Sequence, residues 1–161
     1  MIKKSILFIF ILLSLISCMN EKKSTEYECE KYSFQNNFNA TLNLINKEKY
    51  DKALKLNKIG IKCNKKSKGD YYIQRGFIFN NLNDFDSTSF YFNKGLHYKM
   101  LKKSKSISDQ YQIFEILCRL NRKDKAIKRF DQIDKSKFKK HEIQNIKKII
   151  NNCHLLKLKN D

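Results

Sequence analysis

The chain has 161 residues, the length of one ordinary domain, and carries 34 basic and 16 acidic residues for a formal net charge of +18. It has no proline, no tryptophan and only four glycines, and its lysines are scattered rather than gathered in one stripe. A solvated surface is therefore the first interpretation of the charge, and binding to an acidic partner or to anionic lipid is the narrower alternative. Nucleic acid is not expected as a partner, since no recognition motif is present.

The first segment has the composition of a secretion signal. Residues 1–4 are short and cationic, and residues 5–16 carry no charge and are mostly Ile, Leu and Phe. This apolar run is too short to cross a bilayer as a helix, which takes about 20 residues. Its length and flanks match the apolar region of a secretory signal peptide.

The apolar run ends in Leu15, Ile16, Ser17 and Cys18, and polar residues follow at once. The pattern resembles the lipobox of bacterial lipoproteins: an aliphatic residue, a variable position, a small residue and an obligatory cysteine. The resemblance implies cleavage between Ser17 and Cys18 and a diacylglycerol on the Cys18 sulfur, with no other cofactor. Two acyl chains are enough for stable anchoring. An ordinary signal peptide with a chance cysteine, or an uncleaved anchor, is the alternative.

These features divide the chain into three parts. Residues 1–17 are the predicted signal peptide, residues 18–33 a lipid-anchored tether with the start of the first helix, and residues 34–161 a helical domain. The lipobox implies that this domain lies outside the cytoplasm, at the cell envelope. Met19 is not the aspartate that retains lipoproteins in the inner membrane under the best-known sorting rule. The outer membrane is therefore favoured where the cell has one.

Cysteine usage leaves two possibilities open. Beyond Cys18 the chain has Cys29, Cys63, Cys118 and Cys153. Their number is even and an exported protein meets an oxidising compartment, so disulfides are allowed. Four cysteines permit three connectivities, and the sequence does not choose among them. Buried free thiols are an equally good interpretation of Cys63 and Cys118, which have apolar neighbours at helical spacing.

The remainder is predicted to be all-α, and it contains an internal repeat. An Asp-Lys-Ala-aliphatic motif occurs at residues 51–54 and again at 124–127, and Tyr50 aligns with Phe85 at a spacing of 35 residues. A period near 34 residues with an aromatic-x-x-small step resembles the tetratricopeptide repeat (TPR), a helix-turn-helix unit that stacks into a solenoid. The resemblance implies close helix contacts at the small residues Ala53, Thr88, Ala126, Gly60 and Gly95.

The repeat places the helices along the chain. The first helix of each unit is predicted at residues 34–47, 69–81 and 107–120, and the second at residues 50–63, 85–100 and 123–133. Residues 139–158 carry apolar side chains at helical spacing, which suits a terminal helix that closes the last apolar surface. The expected fold is a short TPR-like α-solenoid of about three repeats with a C-terminal capping helix.

Several positions depart from the family pattern. The usual proline is missing, Asn57 replaces an aromatic residue, Arg75 replaces a large apolar residue, and Phe114 takes a position that should be small. An insertion around residues 102–105 also lengthens the third spacing to 38 residues. An irregular helical bundle is therefore the alternative architecture.

No pattern in the chain predicts catalysis. His97, His141 and His154 lack metal-ligand spacing, and no nucleophile motif or phosphate-binding glycine loop occurs. The chain is not expected to be an enzyme, and we expect no catalytic residue and no metal site.

Stacked repeats of this family bind peptides in a groove lined by the first helix of each unit. The resemblance places groove positions at Phe38, Leu42, Asn46, Ile73, Phe77, Asn80, Asn81, Tyr111, Glu115 and Arg119. Amides pair with a peptide backbone and aromatic rings offer apolar contact, although the apolar positions fit a helical core equally well. The candidate binding residues are therefore Asn46, Phe77, Asn80, Asn81, Tyr111, Glu115 and Arg119.

The sequence thus predicts a membrane-anchored module for protein–protein interaction at the bacterial cell envelope, with a protein or peptide partner that the basic charge allows to be acidic. The alternative is a structural lipoprotein whose basic surface contacts anionic lipid or polysaccharide and which has no peptide ligand.

Overall fold

The computed structural model of the protein describes Cys29, residues 33–101 and residues 106–158. Regular structure in this part is entirely helical, without a strand, so the predicted all-α class is confirmed. The helices are α1 (Phe34–Asn46), α2 (Tyr50–Cys63), α3 (Lys68–Asn81), α4 (Phe85–Leu101), α5 (Ile107–Arg119), α6 (Lys123–Gln132), α7 (Lys140–Asn151) and α8 (Cys153–Leu156). None of these helices is long and apolar enough to cross a membrane. Ser17 and Cys18, where cleavage and lipid attachment are predicted, lie outside the described residues.

The first six helices begin and end within one residue of their predicted bounds. The predicted terminal helix is wrong as a single element, because a turn at Asn152 divides it into α7 and α8. The turn allows Cys153 to form a disulfide with Cys118 of α5. Beyond α8, the Leu158 N–H donates to the Arg119 carbonyl at 3.1 Å. A carbonyl at the end of α5 that has no partner within its helix is thereby satisfied.

The helices α1, α3 and α5 all end in the same turn. The residue after each cap has a left-handed backbone: φ is 55° at Glu48, 57° at Asn83 and 56° at Asn121. At Glu48, the N–H donates to the Ile45 carbonyl at 2.9 Å, and the following N–H donates to the Leu44 carbonyl at 2.9 Å. The same two bonds recur at Asn83 and at Asn121. This is the Schellman motif, and its three copies are 35 and 38 residues apart.

From α1 to α4 each helix packs mainly on its neighbours in the chain, and α1 also contacts α3. In the C-terminal half, α7 and α8 pack mainly on α5. The apolar core extends from α3 to the C-terminal segment and includes the fully buried Phe92, Phe114 and Ile146. Small residues permit the closest contacts. A methyl group on Gly60 would lie 2.1 Å from Cε1 of Tyr71, and one on Gly95 would lie 2.5 Å from Cγ1 of Ile73. The small residues that the repeat predicts at helix contacts are fully buried as well: Ala53, Thr88 and Ala126.

A polar network occupies the position where the first unit lacks its aromatic residue. The buried Asn57 amide donates to the Tyr71 carbonyl at 2.9 Å and to Oε1 of Gln74 at 3.0 Å. The Gln74 amide in turn donates to the Phe38 carbonyl at 3.0 Å. These bonds join α1, α2 and α3 and satisfy the N–H groups of the Asn57 amide, whereas its Oδ1 has no hydrogen-bond partner among the described residues.

The four remaining cysteines form two disulfides, Cys29–Cys63 and Cys118–Cys153, with sequence separations of 34 and 35 residues. Cys63 and Cys118 are therefore bonded rather than free, which decides between the two interpretations that the sequence left open. One bond ties the last residue of α2 to a residue that precedes α1. The other ties α5 to α8.

A buried cation joins three helices. The Lys99 side chain on α4 is 2% exposed and forms ion pairs with Asp70 of α3 and Asp109 of α5. Asp109 also belongs to the capping box that begins α5, where Ser106 is the cap. The charges of this cluster therefore fix the junction between the helical pairs on either side of residues 102–105.

Candidate functional site

Three of the predicted groove residues come together where α3 meets the end of α5. The Arg119 guanidinium carbon lies 4.9 Å from the centre of the Phe77 ring, within the range of a cation–π contact. The same guanidinium donates to Oε1 of Glu115, from Nε at 3.0 Å and from an Nη nitrogen at 2.9 Å. The other edge of Phe77 packs against Phe92 at 5.1 Å between ring centres. Phe77 thus packs against the core and also contacts the Arg119 guanidinium.

Tyr111, one helical turn before Glu115, is turned toward α7. Its hydroxyl donates to the Glu142 carbonyl at 3.4 Å and accepts from the Asn145 amide at 3.5 Å. Tyr111 is half-buried and packs against the core. Its hydrogen bonds help to hold α5 to α7, so it borders the site but is partly engaged in packing.

The predicted asparagines lie at the ends of their helices. Asn46 and Asn81 are exposed at the ends of α1 and α3, and Asn80 is half-buried. Their side-chain amides form no hydrogen bond with the described part of the chain, so they are available to a ligand. Among the apolar groove positions, Ile73 is buried in the core whereas Leu42 is 39% exposed. The interpretation as core therefore holds for Ile73 and not for Leu42.

A cleft of about 850 Å³ opens beside Arg119, between α4, the turn after α5 and the C-terminal segment. Its polar lining includes Asn93, Arg122, His154 and Lys157. Of the residues that line the cleft, only Arg119 is among the predicted binding residues. The others were missed because the cleft exists only after α8 turns back onto α5, and no local pattern indicates that return.

A second feature is a ladder of stacked rings from α3 and α4, in which Tyr72 is buried and the other rings are half-buried. Neighbouring ring centres are 5.3 Å apart for Phe79 and Tyr91, 6.3 Å for Tyr91 and Tyr72, and 5.4 Å for Tyr72 and Tyr98. The Arg75 guanidinium carbon lies 5.0 Å from the centre of the Tyr91 ring. A cation–π contact therefore explains why arginine is accommodated at a position that the repeat pattern reserves for an apolar residue.

The exposed surface of α4 beside this ladder is partly apolar. Phe90, Lys94, His97 and Leu101 follow one another at helical spacing and form what we name the α4 outer face. Phe90 is 56% exposed and Leu101 is 65% exposed. The Lys94 ammonium lies 5.4 Å from the centre of the Phe90 ring and 4.7 Å from that of Tyr72.

Two groups with shifted pKa values, Tyr71 and Asp84, lie at structural positions. Burial, with a smaller contribution from the charge of Asp70, raises the pKa of Tyr71 to about 12. The Tyr71 hydroxyl donates to the Phe34 carbonyl at 3.3 Å. Hydrogen bonds from Ser87 lower the pKa of Asp84, whose carboxylate caps the start of α4. These groups hold helices in place, and their titration bears on stability.

The described residues contain no group of three or more His, Cys, Asp or Glu side chains that could hold a metal ion. What they assemble at the surface is amides, aromatic rings and cations. No protein-family model matches this chain, and neither a curated protein nor a solved structure is detectably similar to it.

Proposed function

We propose that this protein is a lipoprotein of the bacterial cell envelope, anchored through Cys18, whose helical domain is a TPR-like interaction module for a protein partner and has no catalytic activity. The observation that carries the proposal is the turn that recurs at Glu48, Asn83 and Asn121. Three helical pairs are joined by the same hydrogen-bonded geometry at intervals of 35 and 38 residues. Such regularity is what repeats of one helix-turn-helix unit produce. The lipobox supports the anchor.

The packing between helices agrees with this proposal. Glycine or a small residue lies at close contacts in each pair, and the position of Asn57 is filled by a hydrogen-bonded network. Two of the departures from the family pattern, at Asn57 and Arg75, therefore have local compensations. They do not argue against a repeated unit.

The binding surface of the proposed module is the set of half-buried or exposed groups on the last turn of α3 and at the end of α5. Phe77 offers an aromatic ring, Arg119 a cation, and Asn80 and Asn81 amides without partners in the described residues. Aromatic and arginine side chains contribute most of the binding energy in protein interfaces. A peptide backbone would pair with the asparagine amides.

Affinity purification tests the proposal. The full-length tagged protein, extracted from envelopes in detergent, should retain a specific protein partner. The variant Asn80→Ala/Asn81→Ala should lose most of that partner, while Gln144→Ala, an exposed amide on α7, should retain it. Failure to recover any partner with the parent protein would contradict the function, and equal recovery with Asn80→Ala/Asn81→Ala would contradict the groove.

The anchor has its own test. The Cys18→Ala variant should no longer incorporate labelled fatty acid and should leave the membrane fraction or remain unprocessed. A Cys29→Ala variant is the control, because that cysteine lies in a disulfide with Cys63. If fatty acid is incorporated equally into Cys18→Ala, the lipobox assignment is wrong.

The α4 outer face favours a second candidate function, contact of the basic surface with anionic lipid or polysaccharide. Exposed Phe90 and Leu101 beside Lys94 combine apolar and cationic groups on one helix. Such a surface should bind vesicles that contain phosphatidylserine, and high salt should release it, because exposed charges are screened. Phe90→Ser/Lys94→Gln should reduce vesicle binding, whereas Ile127→Ser on the exposed side of α6 should not. Binding that is the same in both variants would exclude this face.

A further inference from the structure

The cleft beside Arg119 is rich in cationic side chains. Arg119, Arg122 and Lys157 contribute three cationic side chains to its lining, and His154 adds an imidazole. Among the described residues, the carboxylate that forms an ion pair with this set is Glu115, which pairs with Arg119. Neither Arg122 nor Lys157 forms an ion pair with any described residue. Cations that converge on a concave site without an equal number of carboxylates produce a positive potential that attracts anions.

The uncharged lining narrows the class of anion. Leu120 and Leu155 give the cleft apolar walls, and the Leu155 side chain is 72% exposed. Asn93 and Asn121 contribute groups that can both donate and accept hydrogen bonds, as a peptide backbone requires. A free inorganic anion would use the cations but neither the leucines nor the amides. A short polypeptide with acidic and apolar side chains would use all three, and about 850 Å³ lies within the usual range of ligand sites.

The cleft is fixed by bonds on its C-terminal side. The Cys118–Cys153 disulfide lies next to His154 in the chain and ties that segment to α5. The hydrogen bond from the Leu158 N–H to the Arg119 carbonyl holds the other end of the segment. A wall that is already ordered loses less conformational entropy when a ligand binds.

The geometry points to this cleft as a binding site for an acidic peptide segment, with Arg122 and Lys157 as the residues that contact its carboxylates. The inference rests on the proposed interaction function and specifies the chemistry of the partner. The cleft adjoins the proposed groove at Arg119, which belongs to both, but its other lining residues are not groove residues.

The test uses the full-length protein in detergent and a short fluorescein-labelled peptide of glutamate and leucine, with a matched peptide of glutamine and leucine. Fluorescence anisotropy should show binding of the glutamate peptide, weaker binding at higher salt, and little binding of the glutamine peptide. The variant Arg122→Gln/Lys157→Gln should raise the Kd by about tenfold, because two charged contacts are lost. Lys125→Gln/Lys128→Gln on exposed α6 changes the net charge equally and should leave the Kd within about twofold.

Equal weakening in the two double variants would overturn the site, since it would show that the total charge and not the cleft attracts the peptide. Equal binding of the two peptides would overturn the preference for acid. Citrate tests whether the cleft binds a free polycarboxylate in place of a peptide. If citrate binds the parent protein and the glutamate peptide does not, the peptide assignment is wrong. Circular dichroism checks that each variant keeps its helices, and the single variants replace any double variant that does not fold.

The same variants separate this inference from the proposed function. If an envelope partner is recovered equally by the parent protein and by Arg122→Gln/Lys157→Gln, the cleft is wrong and the interaction function stands. If the glutamate peptide binds in the cleft but no envelope partner is recovered, the interaction function fails and the cleft stands.

Discussion

At the scale of single residues, burial decides what each polar side chain does. Lys99 is 2% exposed and lies between Asp70 and Asp109, whose side chains are 14% and 10% exposed. Removing charges from water is costly, and only their mutual attraction and hydrogen bonds offset that cost. A buried cluster of this kind therefore depends on every member being present.

The Lys99→Met variant should lose about 3–5 kcal/mol of unfolding free energy, because both carboxylates remain without their cation. Urea denaturation followed by circular dichroism measures the change. The matched variant Lys99→Met/Asp70→Asn also removes one of the two carboxylates that pair with Lys99. It should recover part of the lost unfolding free energy. If Lys99→Met unfolds at the same urea concentration as the parent protein, the ion pairs do not support the junction of α3, α4 and α5.

The raised pKa of Tyr71 should make the protein less stable as the pH rises into the alkaline range. Its pKa is raised from 10.0 to about 12, so folding favours the neutral phenol. The contribution is complete below pH 10 and is lost as the pH rises through about 12. Thermal melts across this window should show a falling midpoint. The Tyr71→Phe variant should lack that component, and its tyrosinate absorbance should lose a step near pH 12. An unchanged step near pH 12 would contradict the assignment.

At the scale of elements, local hydrogen bonds define several helix ends. Asn83 and Asn121 tolerate the left-handed conformation of the turn better than most residues, and Ser106 with Asp109 forms a capping box. The bounds that the repeat predicts for α1 to α6 hold to one residue, and at these ends the local bonds agree with them. The division between α7 and α8 could not be found in this way, because it depends on α5.

Gly95 tests how closely α3 and α4 pack. Alanine is the better helix former by about 1 kcal/mol. However, its methyl group would lie 2.5 Å from Cγ1 and 3.1 Å from the backbone nitrogen of Ile73, and backbone cannot move aside as a side chain can. We expect Gly95→Ala to lower the unfolding free energy by about 1–2 kcal/mol in urea denaturation. At Gly69 the nearest contacts would be 3.2 Å, and Gly69→Ala should cost less. Equal stabilisation by both substitutions would show that α3 and α4 are not in close contact at Gly95.

At the scale of the whole molecule, the two disulfides lie near the two ends of the described helices and enclose loops of almost equal length. The chain-entropy model gives each a stabilisation of about 4 kcal/mol at such a length. They differ in position, since Cys118–Cys153 holds the C-terminal wall of the cleft and Cys29–Cys63 does not contact it.

The variants Cys118→Ser/Cys153→Ser and Cys29→Ser/Cys63→Ser should therefore lose similar stability in urea but differ in peptide binding. The first should lose the glutamate peptide in the anisotropy assay, and the second should retain it. Loss of binding in both variants at a temperature where both stay helical would show that the cleft does not depend on the Cys118–Cys153 bond.

The sequence by itself determined the helical class, the bounds of six helices and the small residues at helix contacts. Those features follow from side-chain periodicity and from hydrogen bonds between residues three to five positions apart, and both depend only on the local sequence. The candidate site was predicted only in part: the sequence singled out Phe77, Glu115 and Arg119, which the fold brings together, but not Arg122 or Lys157. Only the tertiary structure decided the pairing of the cysteines, the ion pairs of Lys99 and the cleft beside Arg119. These features depend on groups that are far apart in the chain and meet because helices pack. A local sequence pattern does not specify which distant residue will become the neighbour.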